Sequence, residues 1–448
     1  MNMRKTEMAA LAAALIASLT SVACSNDNGT APPATQSLTY WQDVAPIMYE
    51  HCTGCHQEGG IGPFRLDNYA DAKKWGAAAA AQTMANKMPP YLATHDGTCG
   101  DLQAAETLTD AQKKIIFDWG TGAQAEGTPA ALSLPKVSAL EGGQSVHTPV
   151  FAPTPQGGKL AQFDEYRCFP LDAGVAQRSF LTGYQVVPGN AKIVHHVIGL
   201  VVDPAKVTKS GKTNAEVMKA LDDQSPDRLG WPCFGSAGEG VEVTAVPVAW
   251  APGQGVVNFP AGMGVEVKPT DKVVVQIHYN LADPQTLGMM DSTEVRLRYA
   301  DKVDRRLVFL LPDALLESLQ KKPVDLLPAA QKSYVYTWTK SAQEMGVGPG
   351  VTMDLMAVGP HMHGRGRREE MHIIDGASDQ CAVQVPAWDF GWQRVYFYKQ
   401  PIKIAPTTQF KVSCDYDTSA DTSPVVPGWG TRNEMCLTIL MLALPPGS

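Results

Sequence analysis

Apolar and polar positions change rhythm several times along the chain. Met8 to Leu19 form a short, almost unbroken apolar stretch behind Arg4 and Lys5. That stretch is too short to span a bilayer and reads as an export signal occupying residues 1–23. Residues 24–38 are rich in Ser, Asn, Thr and Pro without apolar periodicity, the pattern of a tether. Helical signals follow over residues 39–122. Asp43 is expected to cap a helix through Val44, Ile47 and Met48, with Pro46 in its first turn. Thr109 and Gln112 have capping-box spacing, and Ile115, Ile116 and Trp119 give an apolar face stopping at Gly120. Residues 123–155, mostly Gly, Thr, Pro and Ala, read as a linker.

Beyond the linker the period shortens. β-Branched runs recur at Ile193-Val194, Val197 to Val202, Val265 to Val267, Val273 to Ile277, Val295 to Leu297, Val395 to Phe397 and Leu437 to Leu442. Pro188-Gly189, Pro252-Gly253 and Pro349-Gly350 punctuate them. Strands at this density predict β-sandwiches, and nearly 300 residues exceed one sandwich. The expected architecture is multidomain: a small all-α domain, then two all-β sandwiches of jelly-roll type over 156–303 and 304–448. Charge clustering between Ala300 and Arg306 sets the boundary between them.

Composition narrows the setting. A net charge of −8 without a basic patch argues against a nucleic-acid partner. Ser21-Val22-Ala23-Cys24 resembles a bacterial lipobox, which predicts lipidation at Cys24 and a periplasmic or cell-surface location. Ser21 stands where Leu is preferred, so cleavage without lipid is the alternative. No later apolar run reaches the roughly 20 residues of a membrane span. Nine cysteines in an exported chain are compatible with disulfides.

Cys52-Thr53-Gly54-Cys55-His56 has C-x-x-C-H spacing. Two thiols so placed can bond the two vinyl groups of a haem, with the adjacent histidine under the iron. Together with the export signal and flanking helices, this predicts a cytochrome c domain over 39–122 carrying one covalent haem c. Met88, in a loop stiffened by Pro89 and Pro90, is the best sixth ligand, with Met84 and His95 as alternatives.

Histidines of the β-rich half also group. His195-His196 lie inside an expected strand, where neighbours face opposite ways unless the strand bends locally. His278 ends another strand. His361 and His363 are an i, i+2 pair, which a strand presents on one face. Imidazole donors suit copper, zinc, nickel or iron, and a thioether such as that of Met435 would select Cu(I). His51, His147 and His372 read as ordinary hydrogen-bonded histidines.

The doublet in IVHHV, the histidine of QIHYN, the HMH pair and NEMC stand in the order seen in copper type II ascorbate-dependent monooxygenases. Ala249-Trp250-Ala251-Pro252 and Pro260-Ala261-Gly262-Met263-Gly264 add to the resemblance, which covers roughly residues 160 to 445. It implies two sandwiches with one copper each, facing across a solvent-filled gap. His195, His196 and His278 would hold the electron-storing copper. His361, His363 and Met435 would hold the copper where oxygen and substrate react. It also implies disulfides Cys168–Cys233 and Cys414–Cys436, leaving Cys99 and Cys381 without partners. Asp291 stands near where a further family cysteine is expected. In the peptide-hydroxylating branch a carboxylate is anchored at places occupied here by Gly359, Leu437 and Ile439, whose side chains cannot bind one.

These expectations combine into hydroxylation of a C–H bond in a small organic substrate with O2. The electron donor would be a cytochrome or small reductant, with the attached haem as entry point. A non-catalytic haem- and copper-containing electron-transfer or copper-binding surface protein is the alternative.

Overall fold

The computed structural model describes residues 37–447 apart from 59, 61, 104–106, 134–138, 157–162, 234, 235, 253 and 429–431. Cys24 and the export signal lie outside the described residues. Leu38–Ser448 form one compact unit.

Its N-terminal part is helical. A π-helical turn, Tyr40–Val44, leads into α1 (Ala45–His51), followed by α2 (Tyr69–Met84) and α3 (Asp110–Thr121). The helix therefore begins earlier than expected, and Asp43 is not its cap. The Asp43 carboxylate instead accepts from the backbone N–H and hydroxyl of Thr39, at 2.7 and 3.0 Å, one turn back. Pro46 does occupy the first turn of α1, and the Thr109–Gln112 capping box forms. α2 was not anticipated. Its alanine-rich run has little amphipathic contrast, although Asn68 caps it by accepting from Asp71 N–H at 2.9 Å. α2 meets α3 at two glycines: a Cβ on Gly120 would lie 2.4 Å from the Gly76 carbonyl oxygen. Tyr40, Met48, Leu66 and Trp119 form the core beneath them.

The remainder is β-rich. The first half contains β1 (Gln144–His147), β2 (Asp164–Asp172), β3 (Ser179–Val187), β4 (Val194–Val202), β5 (Trp231–Pro232), β6 (Ala245–Trp250), β7 (Val257–Asn258), β8 (Met263–Val267), β9 (Lys272–Asn280) and β10 (Glu294–Ala300). The second contains β11 (Arg305–Leu310), β12 (Tyr334–Ser341), β13 (Met353–His361), β14 (Gly366–Asp375), β15 (Ser378–Val385), β16 (Tyr396–Ile404), β17 (Gln409–Tyr416) and β18 (Leu437–Ala443). A nine-stranded sheet, β1-β10-β3-β8-β11-β18-β13-β16 with β7 beside β3, runs through both halves. A five-stranded sheet, β5-β2-β9-β4-β6, belongs to the first half and a four-stranded sheet, β12-β17-β14-β15, to the second. Between β10 and β11 the chain runs from Ala300 to Arg305. The join is itself a sheet contact, since β8 and β11 pair in parallel.

Two expected boundaries give way to packing. β1 lies within the span read as linker, pairs with β10, and is followed by Phe151 in the core of the first half. Tyr91, Ala93 and Leu102, expected in the helical domain, are buried in the core of the second half. Backbone bonds from Thr94 to Gln384 and from Gln103 to Phe397, each 2.8 Å, fasten that segment along β15 and β16. The Cys99–Cys381 disulfide closes it covalently. Neither cysteine is unpaired, contrary to expectation. A strap of this kind has no periodicity of its own, because it borrows hydrogen bonds from strands far along the chain.

Candidate metal centres

The histidine doublet sits on an irregularity in β4. Val194 pairs with Tyr279 and His196 with His278, so His195 is the extra residue between two regular pairs. A bulge re-aims side chains, supplying the local bend the sequence required. His195, His196 and His278 consequently converge. Their Nδ1 atoms lie 3.4 Å apart between His195 and His196, and 3.2 Å from His278 to each of the others. Three imidazole nitrogens about 2.0–2.1 Å from one first-row ion would stand about 3.3–3.6 Å apart. The triangle therefore fits a shared ion.

Proton placement agrees with the distances. His278 Nε2 lies 3.0 Å from Asp164 Oδ1, and the ring stacks on Tyr166 at 4.0 Å between centroids. The two atoms are close but out of hydrogen-bond alignment, so the carboxylate acts on the ring through its charge, and the Nδ1 atoms that face one another are the donors turned toward a common point. Burial pushes His196 and His278 well below the ordinary histidine pKa, with charge repulsion among the histidines adding to it. His195 is lowered by burial and opposed by Asp164 and Asp389. Neutral rings are the ligating form.

His361 ends β13, and His363 lies two residues on, just beyond the strand. Their ring centroids are 5.2 Å apart and nearly perpendicular, at 88°. The intervening Met362 is buried in the core of the second half, while the two rings meet, as an H-x-H segment presents them. Each ring turns Nδ1 to an oxygen: His361 to Gln393 Oε1 at 2.5 Å and His363 to the Asn433 carbonyl at 3.0 Å. Both bonds place the proton on Nδ1 and leave Nε2 for a metal. Burial lowers the pKa of His361 to about 4 and that of His363 to about 3.

Met435 is wholly buried two residues before the start of β18, whose Leu437 pairs with His361. Tyr416 donates its hydroxyl to the Met435 carbonyl at 2.6 Å. The Cys414–Cys436 disulfide ties the following residue to β17, and Cys168–Cys233 joins β2 to the segment after β5. Buried Glu434 accepts from the backbone N–H groups of His363 and Arg365, at 2.9 and 2.8 Å. It thereby couples the Met435 segment to the H-x-H segment.

Phe390 stands between the two sets of histidines. Its ring centroid is 6.5 Å from that of His196, 6.4 Å from His278 and 5.7 Å from His363. A cavity of about 60 Å³ touches both His196 and His361. Phe390 and this small space thus lie near both sets of histidines. Gly359 and Ile439, paired across β13 and β18, line the same cavity. Buried Asp291, at the expected cysteine position, accepts from Tyr279 and Thr293 hydroxyls at 3.1 and 2.9 Å. Asp164, Phe390, Gln393 and Glu434 were not anticipated as supporting residues. Of these, only Glu434 adjoins a residue already singled out.

At the N-terminal motif, Cys52 and Cys55 are unpaired and half-buried. His56 Nδ1 lies 3.0 Å from the Phe64 carbonyl oxygen, which leaves Nε2 available. Met88 lines a cavity of about 1130 Å³ together with His95, while Met84 is 51% exposed and not among its lining residues. Among the described residues no helix is long and apolar enough to cross a membrane. Three disulfides fit an oxidising compartment.

Comparison with known proteins finds similarity over part of the chain. Residues 315–445 match the family described as copper type II ascorbate-dependent monooxygenase, C-terminal domain. That stretch contains His361, His363 and Met435.

Among curated proteins the chain is similar to tyramine beta-hydroxylase of Caenorhabditis briggsae, 22% identical over 268 residues. The match covers 57% of this chain and 40% of that protein. It is also similar to putative DBH-like monooxygenase protein 2 of Homo sapiens, 23% identical with 57% and 48% covered. Dopamine beta-hydroxylase of Canis lupus familiaris is 23% identical, with 44% of this chain and 31% of that protein covered. The matched portion thus spans less than half the length of each of these relatives. Their names and the matched family support the copper monooxygenase resemblance of the β-rich part.

Proposed function

We propose that the protein is a copper-dependent monooxygenase that hydroxylates a C–H bond of a small organic substrate with O2. The observation that carries this reading is the convergence of His195, His196 and His278 Nδ1 atoms to 3.2–3.4 Å, facing a second histidine pair across Phe390. His195, His196 and His278 would hold one copper; His361, His363 and Met435 would hold the other. Copper in these sites supplies one-electron redox chemistry toward O2. The protein groups do the rest. Asp164 orients His278, Gln393 orients His361, and the Asn433 carbonyl orients His363. Buried Met435 offers the soft donor that favours the reduced metal, while Phe390 and the narrow cavity restrict water between the histidine sets.

We propose that Cys52, Cys55, His56 and Met88 would hold one haem c, which would supply one-electron transfer as the entry point for electrons. Unpaired Cys52 and Cys55, and His56 Nδ1 directed to a carbonyl, fit that group. The external donor is a cytochrome or small reductant. The stretch from β1 to β10 and that from β11 onward are proposed as the two copper-binding halves, joined through β8 and β11, and Cys24 as a lipid anchor holding an exported protein at the membrane surface.

Metal analysis of the purified chain should give one iron and two coppers. Met435→Leu should abolish substrate-dependent O2 consumption while leaving the haem absorbance unchanged. Full O2 consumption in that variant would refute its assignment, and haem and copper without any substrate-dependent uptake would favour a non-catalytic electron carrier.

A further inference from the structure

We propose that Phe390 is a positioning residue that spaces the two copper sites, carried on a loop, residues 388–393, that comes up to all five of their histidines. The inference rests on the copper reading of those histidines and adds to it the element that fixes the separation of the two metals.

The first observation is that the sites stand on different sheets. His195, His196 and His278 belong to β4 and β9 of the five-stranded sheet, whereas His361 ends β13 in the nine-stranded sheet. Among the described strands none is common to both, so no ladder of hydrogen bonds sets one site's distance from the other. Below the histidines the sheets meet through apolar packing, with Met356, Ala357 and Met441 joining the core of the first half. Such packing is non-directional.

The second observation is how the loop is held. Its base belongs to the second half. The Trp388 backbone N–H donates to the Arg367 carbonyl at 2.8 Å, and its indole N–H donates to the His363 carbonyl at 3.1 Å. At the other end Gln393 accepts from His361 Nδ1 through Oε1 and donates from Nε2 to the Phe390 carbonyl at 3.0 Å. Asp389 closes the turn between them, its carboxylate accepting from the Gly391 N–H at 2.8 Å.

The third observation is what the loop presents to the first half. The half-buried Phe390 ring stands nearly perpendicular to His196 of one site, at 86°, and to His363 of the other, at 79°. Both centroid separations, 6.5 and 5.7 Å, lie in the range of favourable edge-to-face ring pairs. A Cβ on Gly391 would lie 3.6 Å from His195 Nε2, so the backbone itself passes close to the third ring of the triangle. A rigid ring with two side-chain torsions transmits a distance that a longer, flexible side chain would not. An electron leaving a reduced copper at the triangle reduces the copper at the second site, and such a transfer slows steeply with separation. A fixed spacer therefore fixes its rate.

The test uses the full-length protein with both coppers loaded and oxidised. Magnetic dipolar coupling between the two copper(II) ions, read by EPR, reports their separation and its spread. A site that loses its support loosens from about 0.5 Å to about 1 Å, so Phe390→Ala should broaden that spread about two-fold. Phe390→Tyr, which keeps the ring, should retain the wild-type spread. The proposal is overturned if Phe390→Ala binds two coppers with an unchanged spread, or if Phe390→Tyr broadens it as much as alanine does. Should Phe390→Ala fail to fold or lose a copper, Trp388→Phe decides, because it removes the indole bond that fastens the loop to His363. It should broaden the spread, and an unchanged spread overturns the proposal. A wild-type chain that does not take up two coppers would instead overturn the underlying copper reading.

Discussion

Replacing Asp164 by Asn tests whether the three-histidine triangle is built for a metal. Asp164 Oδ1 lies 3.0 Å from His278 Nε2, both side chains are buried, and the carboxylate also raises the pKa of His195 against burial. Its charge should therefore make two of the three rings better donors. Loss of such a supporting carboxylate typically weakens metal binding about 10–100-fold, or about 1.4–2.7 kcal/mol. His361 and His363 draw their support from Gln393 and Asn433 instead. Chelator competition on the full-length protein should thus show one of two copper affinities falling by that factor and the other unchanged. Two unchanged affinities would refute the role given to Asp164. A parallel fall in both, with altered circular dichroism, would mean that the carboxylate supports the fold rather than the ligand.

Gln393→Leu should have the mirror effect. It should weaken copper at His361 and His363 about 10–100-fold and spare the triangle; equal weakening of both by chelator competition would contradict the assignment. The metal-free protein should lose stability in acid. His361 and His363 have folded pKa values of about 4 and 3, below the ordinary 6.5, so the unfolded chain takes up protons first. Their contribution is intact above pH 6.5 and falls by about 2.7 kcal/mol per pH unit towards pH 4. Thermal melts of metal-free protein across that window should show it, and a flat Tm would exclude it. Cys99→Ser with Cys381→Ser should cost up to about 5 kcal/mol and expose residues 91–103 to protease. Unchanged proteolysis would mean that hydrogen bonds alone hold the strap.

The proposed metal ligands stand out in the sequence because their spacing is local chemistry. His361 and His363 follow the alternation of a strand, and the doublet required a bend that β4 supplies at His195. Supporting groups were harder to find. Asp164 and His278 are distant in sequence and meet only because Tyr166 on β2 pairs with His278 on β9. Gln393 comes from a loop without a periodic signal. The missed α2 has the opposite cause: strong helix formers with too little amphipathic contrast to mark a buried face.

Domain boundaries read from changes of texture assume that each stretch packs with its neighbours. Loop closure disfavours distant partners only slowly as the loop lengthens. A short segment that gains a disulfide and a place in an apolar core can therefore settle far away, as residues 91–103 do on β15 and β16. That settlement has a functional consequence. It brings the Cys55 segment beside the loop that carries Phe390 and Gln393, so one loop contacts both sets of histidines and borders the cavity at the haem motif. No spacing in the sequence relates residue 390 to 196 or 363. Their proximity follows from the parallel pairing of β8 with β11, which makes one continuous sheet of what the sequence presents as two sandwiches.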